Sequence, residues 1–120
     1  MAVAWFSAAT KPAHVNVAFS DDNGESFGEA ISVDEGAAIG RVDIEWLDAD
    51  RVLITWMEAN FIKAVVVHQS GHREAPMTLA ESSEARSSGF PQLTRVNGGF
   101  VVAWTDDLSK RVKTGFVKLN

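Results

Sequence analysis

The sequence predicts an all-β protein, and two observations carry that prediction. No segment of the 120 residues shows a sustained helical period of apolar residues, whereas β-branched and aromatic residues are frequent. Three apolar segments end on a tryptophan, at Trp5, Trp56 and Trp104, with spacings of 51 and 48 residues. A repeat near fifty residues with about four short strands is typical of a β-propeller blade. We therefore expect a partial β-propeller of about two and a half four-stranded antiparallel blades.

The first repeat unit, about residues 1–38, is expected to form three strands, because short apolar runs alternate with polar residues and are separated by turn-forming residues. These strands are predicted at residues 3–6, 15–19 and 30–33. Compared with the later units, this one lacks an inner strand before its tryptophan.

The second unit, about residues 39–87, is the complete one. Its four strands are predicted at residues 42–47, 52–57, 62–68 and 77–80. The apolar run 64–67 does not alternate, which is expected where both faces of a sheet are covered.

The third unit, about residues 88–120, follows a polar link at residues 82–88. Its strands are predicted at residues 92–96, 100–105 and 112–119, and the outer strand that should follow them is missing.

Residues 20–27, SDDNGESF, predict a structured hairpin turn in the first unit. Ser20 and Asp22 can accept hydrogen bonds from backbone N–H groups, and Gly24 can take the positive φ that such a turn requires. Phe27 is expected to begin the return strand as a packing anchor. A calcium loop is the alternative, but the ligand positions of an EF-hand are not filled.

This octapeptide follows the pattern S-x-D-x-G-x-[ST]-[WF] and resembles the Asp-box, or BNR repeat, of sialidase-like β-propellers. Residues 40–43 (GRVD) and 86–91 (RSSGFP) also look like the C-terminal half of bacterial sialidase-like propeller proteins. In that family the box is a structural turn between the third and fourth strands of a blade, away from the active site. The resemblance implies a fold rather than an activity, and a periplasmic or secreted location.

Sialidases of this kind use a Tyr nucleophile with a Glu partner, an Asp acid/base and three Arg residues that bind the substrate carboxylate. This chain contains no Tyr, so none of its residues can match the nucleophile of that family. We therefore predict no catalytic residue. The sequence favours a non-catalytic scaffold or ligand-binding module. The alternative is a glycoside hydrolase fragment or subunit whose active site is completed by another chain or segment, because a two-carboxylate scheme needs no Tyr.

Arg41, Asp43 and Arg86 form the predicted ligand site. Each arginine precedes an inner strand, where a propeller opens onto its central funnel. A guanidinium group matches a carboxylate with two parallel hydrogen bonds, so these residues suit a small acidic or carbohydrate ligand. The competing interpretation is that both arginines form surface ion pairs with neighbouring carboxylates, such as Asp43 and Glu84.

Charge and residue types exclude several classes of function. The formal net charge is −5 and the 11 basic residues are spread along the chain, which argues against a nucleic acid or an anionic membrane as the main partner. There is no cysteine, and the three histidines are not spaced as zinc ligands, so we predict no metal and no cofactor. No apolar stretch approaches the roughly 18 residues of a membrane helix, and the first residues do not resemble a signal peptide.

The predicted partner is a second copy of the chain. Each end of the chain leaves a blade one strand short, and unpaired strand edges invite association. Two chains with three blades each would complete a six-bladed propeller, which is the blade number of the family that the octapeptide resembles. We therefore expect a homodimer with a two-fold axis along the propeller axis.

Overall fold

The structure, a computed structural model, describes residues 1–9, 11–82 and 89–118, which form ten β-strands in three antiparallel sheets. The first sheet contains β1 (Ala2–Ser7), β2 (His14–Phe19) and β3 (Ile31–Ser32). The middle sheet contains β4 (Ala38–Trp46), β5 (Arg51–Glu58), β6 (Phe61–His68) and β7 (Met77–Glu81). The third sheet contains β8 (Gly89–Val96), β9 (Gly99–Asp106) and β10 (Arg111–Lys118). The predicted all-β fold is confirmed, and each predicted strand has a counterpart.

Each sheet is a meander in which strands that are neighbours in sequence pair antiparallel. In the first sheet, Val17 of β2 pairs with Ile31 of β3. In the middle sheet, Ile54 of β5 pairs with Ile44 of β4 on one side and with Val65 of β6 on the other. Such β-branched pairs favour strands because their side chains pack well on a pleated surface.

The middle sheet is buried on both faces. Trp56 belongs to an apolar cluster shared with Val17 of the first sheet, whereas Leu53 belongs to a second cluster shared with Phe100 of the third sheet. Successive residues of a strand point to opposite faces, so burial on both faces removes any alternation in burial along the strand. This accounts for the apolar run 64–67, which is buried throughout.

The strand β4 contains a bulge that shifts its pairing with β5 between Gly40 and Asp43. Gly40 and Arg41 both have positive φ, at 102° and 60°. A Cβ atom at Gly40 would lie 3.3 Å from Cγ of Phe6, so the missing side chain lets β1 approach β4 closely. Since β4 packs against both β1 and β8, it is the strand along which the three sheets meet.

The turn between β2 and β3 is longer than expected. Phe27 does not begin the return strand, because β3 starts at Ile31, and Phe27 is 42% exposed instead of being a buried anchor. The chain first closes on the end of β2, where the N–H of Gly28 donates to the carbonyl oxygen of Phe19 at 2.8 Å. The prediction for Phe27 is therefore wrong, since this hydrogen bond ends the turn before the strand ladder resumes.

Candidate functional site

The octapeptide turn is held by hydrogen bonds within itself. Asp22 Oδ1 accepts from the N–H of Ser26 at 2.9 Å and from the hydroxyl of Ser20 at 2.7 Å, while Asp22 Oδ2 accepts from the hydroxyl of Ser26. The Ser20 oxygen in turn accepts from the N–H of Gly24 at 2.8 Å, and Gly24 has a φ of 88°. These contacts are the ones predicted for a structural turn.

The same contacts explain the acidity of Asp22. Hydrogen bonds from the Ser26 and Ser20 hydroxyls, with the N–H of Ser26, favour the ionised carboxylate and lower the pKa of Asp22 from 3.8 to about 2. Asp22 therefore stays ionised at neutral pH, as a fixed acceptor for its own turn and not as a proton donor.

Of the predicted ligand residues, Arg41 and Asp43 lie on β4 and Arg86 lies outside the described residues. Arg41 is half-buried on the bulge, at the strand where the sheets meet. Asp43 joins two sheets, because its Oδ2 accepts from the N–H of Leu93 on β8 at 2.7 Å and its Oδ1 accepts from the N–H of Ile44 at 2.9 Å. Both oxygens of Asp43 are used by the fold, which favours an architectural role over the predicted ligand contact.

A serine, a histidine and an aspartate meet at the start of β2, although the sequence gives no hint of the cluster. Ser32 Oγ lies 3.4 Å from Nδ1 of His14, and both Asp34 oxygens lie 3.3 Å from the same nitrogen. A nucleophilic triad needs the serine and the acid on opposite ring nitrogens. This cluster therefore lacks the geometry for activating Ser32.

Asp34 instead anchors the chain between the first two sheets. Its side chain is fully buried, and it accepts from the N–H groups of Val15 at 2.7 Å and Gly36 at 2.9 Å. Burial pushes the pKa of Asp34 up, but these two donors and His14 outweigh burial, so its pKa lies below the ordinary value. The bond to Gly36 is a local Asx-type turn that the sequence could have suggested, whereas the bond to Val15 spans 19 residues.

Two histidines also lie near each other at the end of β6, at His68 and His72. Nε2 of His68 lies 2.7 Å from Oε2 of Glu74, and the rings of His68 and His72 have centroids 5.1 Å apart. Across the described ranges, no group of three or more His, Asp or Glu side chains is arranged to hold a metal ion. His68 therefore makes a hydrogen bond to Glu74 beside its ring contact with His72.

An open cleft of about 430 Å³ lies between the octapeptide turn and the turn after β6. The residues that line it include Phe19, Gln69 and two acidic residues, Asp21 and Glu29. Two carboxylates repel an anion, so this cleft does not suit an acidic ligand. Arg41 stays the candidate group for binding one.

No protein-family model, no curated protein and no solved structure matches this chain. In the part of the chain that the structure describes, no helix has the length and apolar character needed to cross a membrane. A function for this chain therefore has to be inferred from its own residues and their geometry.

Proposed function

We propose that this chain is a non-catalytic module of the sialidase-like propeller type that binds a small acidic ligand, such as an acidic sugar, through Arg41. The observation that carries this proposal is the conformation of Arg41. It is a non-glycine residue with a φ of 60°, on the strand that packs against both neighbouring sheets.

The order of the strands supports the propeller part of the proposal. The three tryptophans of the repeat lie on β1, β5 and β9, and in the middle and third sheets one strand precedes the tryptophan strand. If the first sheet is a blade without that strand, β2 and β3 are the third and fourth strands of the blade. The octapeptide turn joins these two strands, which is the place of an Asp-box in the family it resembles.

The backbone conformation of Arg41 supports the proposal that this residue binds a ligand. A non-glycine residue in the left-handed region costs on the order of 1–3 kcal/mol, and such residues concentrate at ligand sites, where the surrounding structure enforces them. Here the neighbouring Gly40 lies under the ring of Phe6, so packing between β1 and β4 fixes the bulge that carries Arg41. The backbone that carries the Arg41 side chain is fixed in this way, and a guanidinium group matches a carboxylate with two parallel hydrogen bonds.

Two observations support the absence of catalysis. The chain contains no Tyr for a sialidase nucleophile. The cluster of Ser32, His14 and Asp34 places both partners on one imidazole nitrogen, so it offers no activated hydroxyl in its place.

Calorimetric titration of sialic acid and glucuronic acid tests the proposal. We expect the wild type to bind one of them and Arg41→Ala to bind about tenfold more weakly or worse, since a charge-assisted hydrogen bond contributes roughly 1.5–3 kcal/mol. Arg51→Ala is the matched control, because Arg51 lies at the start of β5 and pairs with Asp48 at 2.8 Å.

Equal affinity of wild type and Arg41→Ala, or no binding by either protein, would remove the proposed site. Release of a labelled sugar from a sialoside by the wild type would instead show that the alternative, a glycoside hydrolase subunit, is correct.

A further inference from the structure

Two of the five asparagines in this chain, Asn23 and Asn97, are followed directly by glycine. Such a pair can react with itself, because glycine has no side chain to shield its backbone nitrogen from the amide of the asparagine before it. The other two described asparagines, Asn16 and Asn60, precede a valine and a phenylalanine. The surroundings of the two Asn-Gly pairs therefore decide which of them can react.

Asn97 and Gly98 form the two-residue turn between β8 and β9, and Val96 pairs with Gly99 directly before and after it. Both turn residues are exposed. Apart from its chain neighbours, no atom lies within 4 Å of the place where a Cβ of Gly98 would be. Within the described residues, neither the N–H of Gly98 nor the side chain of Asn97 has a hydrogen-bond partner. The nitrogen of Gly98 is therefore open to reaction.

The pair of Asn23 and Gly24 lies in the octapeptide turn, where its backbone is held. The N–H of Gly24 donates to Oγ of Ser20 at 2.8 Å. A Cβ at Gly24 would lie 2.9 Å from Sδ of Met1, so the side chain of Met1 lies against this glycine. Met1 is itself fixed, because its terminal amino group donates to the carbonyl oxygen of Ser20 at 3.0 Å. The nitrogen of Gly24 is therefore hydrogen-bonded within a packed turn, unlike that of Gly98.

We propose that Asn97 is a site of spontaneous deamidation and that Asn23 is protected from the same reaction. In this reaction the backbone nitrogen of Gly98 attacks Cγ of Asn97 and forms a new C–N bond. The bond from Cγ to the side-chain nitrogen breaks, and that nitrogen leaves as ammonia with the proton that the backbone nitrogen has lost. Water then opens the resulting succinimide ring at either of its two carbonyl groups, which gives aspartate or isoaspartate.

The hydrogen bond of Gly24 accounts for the protection of Asn23. The attacking nitrogen must lose its proton, so an N–H that donates to a hydroxyl oxygen has to give up that bond first. Gly98 has no such bond to break. We therefore expect Asn23 to react about tenfold more slowly than Asn97, because opening the bond from Gly24 to Ser20 adds to the barrier.

Deamidation of Asn97 changes both the charge and the backbone of the β8–β9 turn. Either product makes the formal net charge one unit more negative than −5. Isoaspartate also adds a main-chain atom to a two-residue turn, and the length of such a turn sets the register of its strands. Since Leu93 of β8 donates to Asp43 of β4, a shift of β8 would reach the contact with the middle sheet. The inference goes beyond the proposed function, because it concerns neither Arg41 nor a ligand.

Mass spectrometry of tryptic peptides from the folded protein, incubated in mildly alkaline buffer at body temperature, is the first test. Cleavage after Arg95 and Lys110 places Asn97 in a peptide with no other asparagine, and cleavage after Arg41 keeps Asn23 in a separate peptide. We expect the peptide 96–110 to gain the mass difference between NH2 and OH first. An isoaspartyl methyltransferase should label the same peptide, because isoaspartate is one of the two products.

Ser20→Ala tests the cause of the protection, because it removes the oxygen that accepts from the N–H of Gly24. We expect Asn23 to react about tenfold faster in this variant. The rate at Asn97 in the same molecules should stay unchanged, which serves as an internal control for a general loss of structure. In urea, where neither turn is formed, the two Asn-Gly pairs of the wild type should react at similar rates.

Asn97→Gln is the matched control for the site itself, since its longer side chain would have to close a larger ring. It should yield no modified 96–110 peptide, and circular dichroism should show that it keeps the fold. Equal rates at Asn23 and Asn97 in the folded wild type overturn the inference without reference to any variant. A reaction at Asn97 that occurs only in urea, or a rate at Asn23 that Ser20→Ala does not change, overturns it as well.

Discussion

At the scale of single residues, Asp22 is the best-defined group in this protein. Its carboxylate is fixed by the hydroxyls of Ser20 and Ser26 within one turn, and its pKa lies near 2 instead of 3.8. A group whose pKa is lower in the folded than in the unfolded chain stabilises the fold above its unfolded pKa, and that stability is lost as the pH falls through its folded pKa.

We therefore expect Asp22→Asn to lower the midpoint of thermal unfolding by several degrees at pH 7. The deficit should shrink as the pH falls from about 4 to about 2, because the wild type loses the contribution of ionised Asp22 in that window. Thermal unfolding followed by circular dichroism at several pH values measures this.

Asp21→Asn is the control, since Asp21 is the exposed neighbour of Asp22. It should unfold like the wild type throughout this pH range. If the wild type and Asp22→Asn differ by the same amount at pH 7 and at pH 2, the carboxylate of Asp22 does not carry the stability assigned to it.

At the scale of elements, the bulge in β4 decides how the first and middle sheets approach each other. Gly40 combines a φ of 102° with a close contact to Phe6, so it meets both a backbone and a packing requirement. Arg41 lies on the same bulge, which links this element to the proposed binding site.

Gly40→Ala should lower the free energy of unfolding by roughly 1–3 kcal/mol, since it adds both backbone strain and a contact at 3.3 Å with Phe6. Denaturant unfolding measures the change. Gly36→Ala is the matched control, because Gly36 has a φ of 108° but open space where a Cβ would lie. If the two variants lose the same stability, packing against Phe6 contributes nothing at this bulge.

At the scale of the whole molecule, stability depends on the contact between the first and middle sheets. Trp56 lies at the centre of that contact with no exposed surface, as predicted from its place in the repeat, and its indole N–H donates to Glu58 at 3.2 Å. A domain of this size has a free energy of unfolding of only about 5–15 kcal/mol.

Trp56→Ala should therefore lower the free energy of unfolding by roughly 3–5 kcal/mol, which is a large part of the stability of such a domain. Urea unfolding followed by far-UV circular dichroism is the measurement. Trp46→Ala is the control in the same sheet, since Trp46 is only half-buried. An equal loss in the two variants would contradict a central role for Trp56.

Local signals in the sequence were sufficient for most of the strands and for the hydrogen bonds within the octapeptide turn. A strand requires a run of β-branched and aromatic residues bounded by turn residues, and strands such as β5 and β6 carry that signal in their own residues. The contacts of Asp22 were predictable for the same reason, because its partners lie within four residues. The division into blades, the ligand site and the dimer remain predictions.

Only the tertiary structure decided which residues meet between sheets. Asp43 bonds to Leu93 across 50 residues, and Asp34 bonds to Val15 across 19, yet neither carboxylate is distinguished in the sequence from an exposed one. The residue type of Phe27 predicts a buried anchor, whereas its exposure depends on where the turn closes. Strand formation depends on neighbours along the chain, but burial and pairing between sheets depend on distant residues that come together only when the chain is folded.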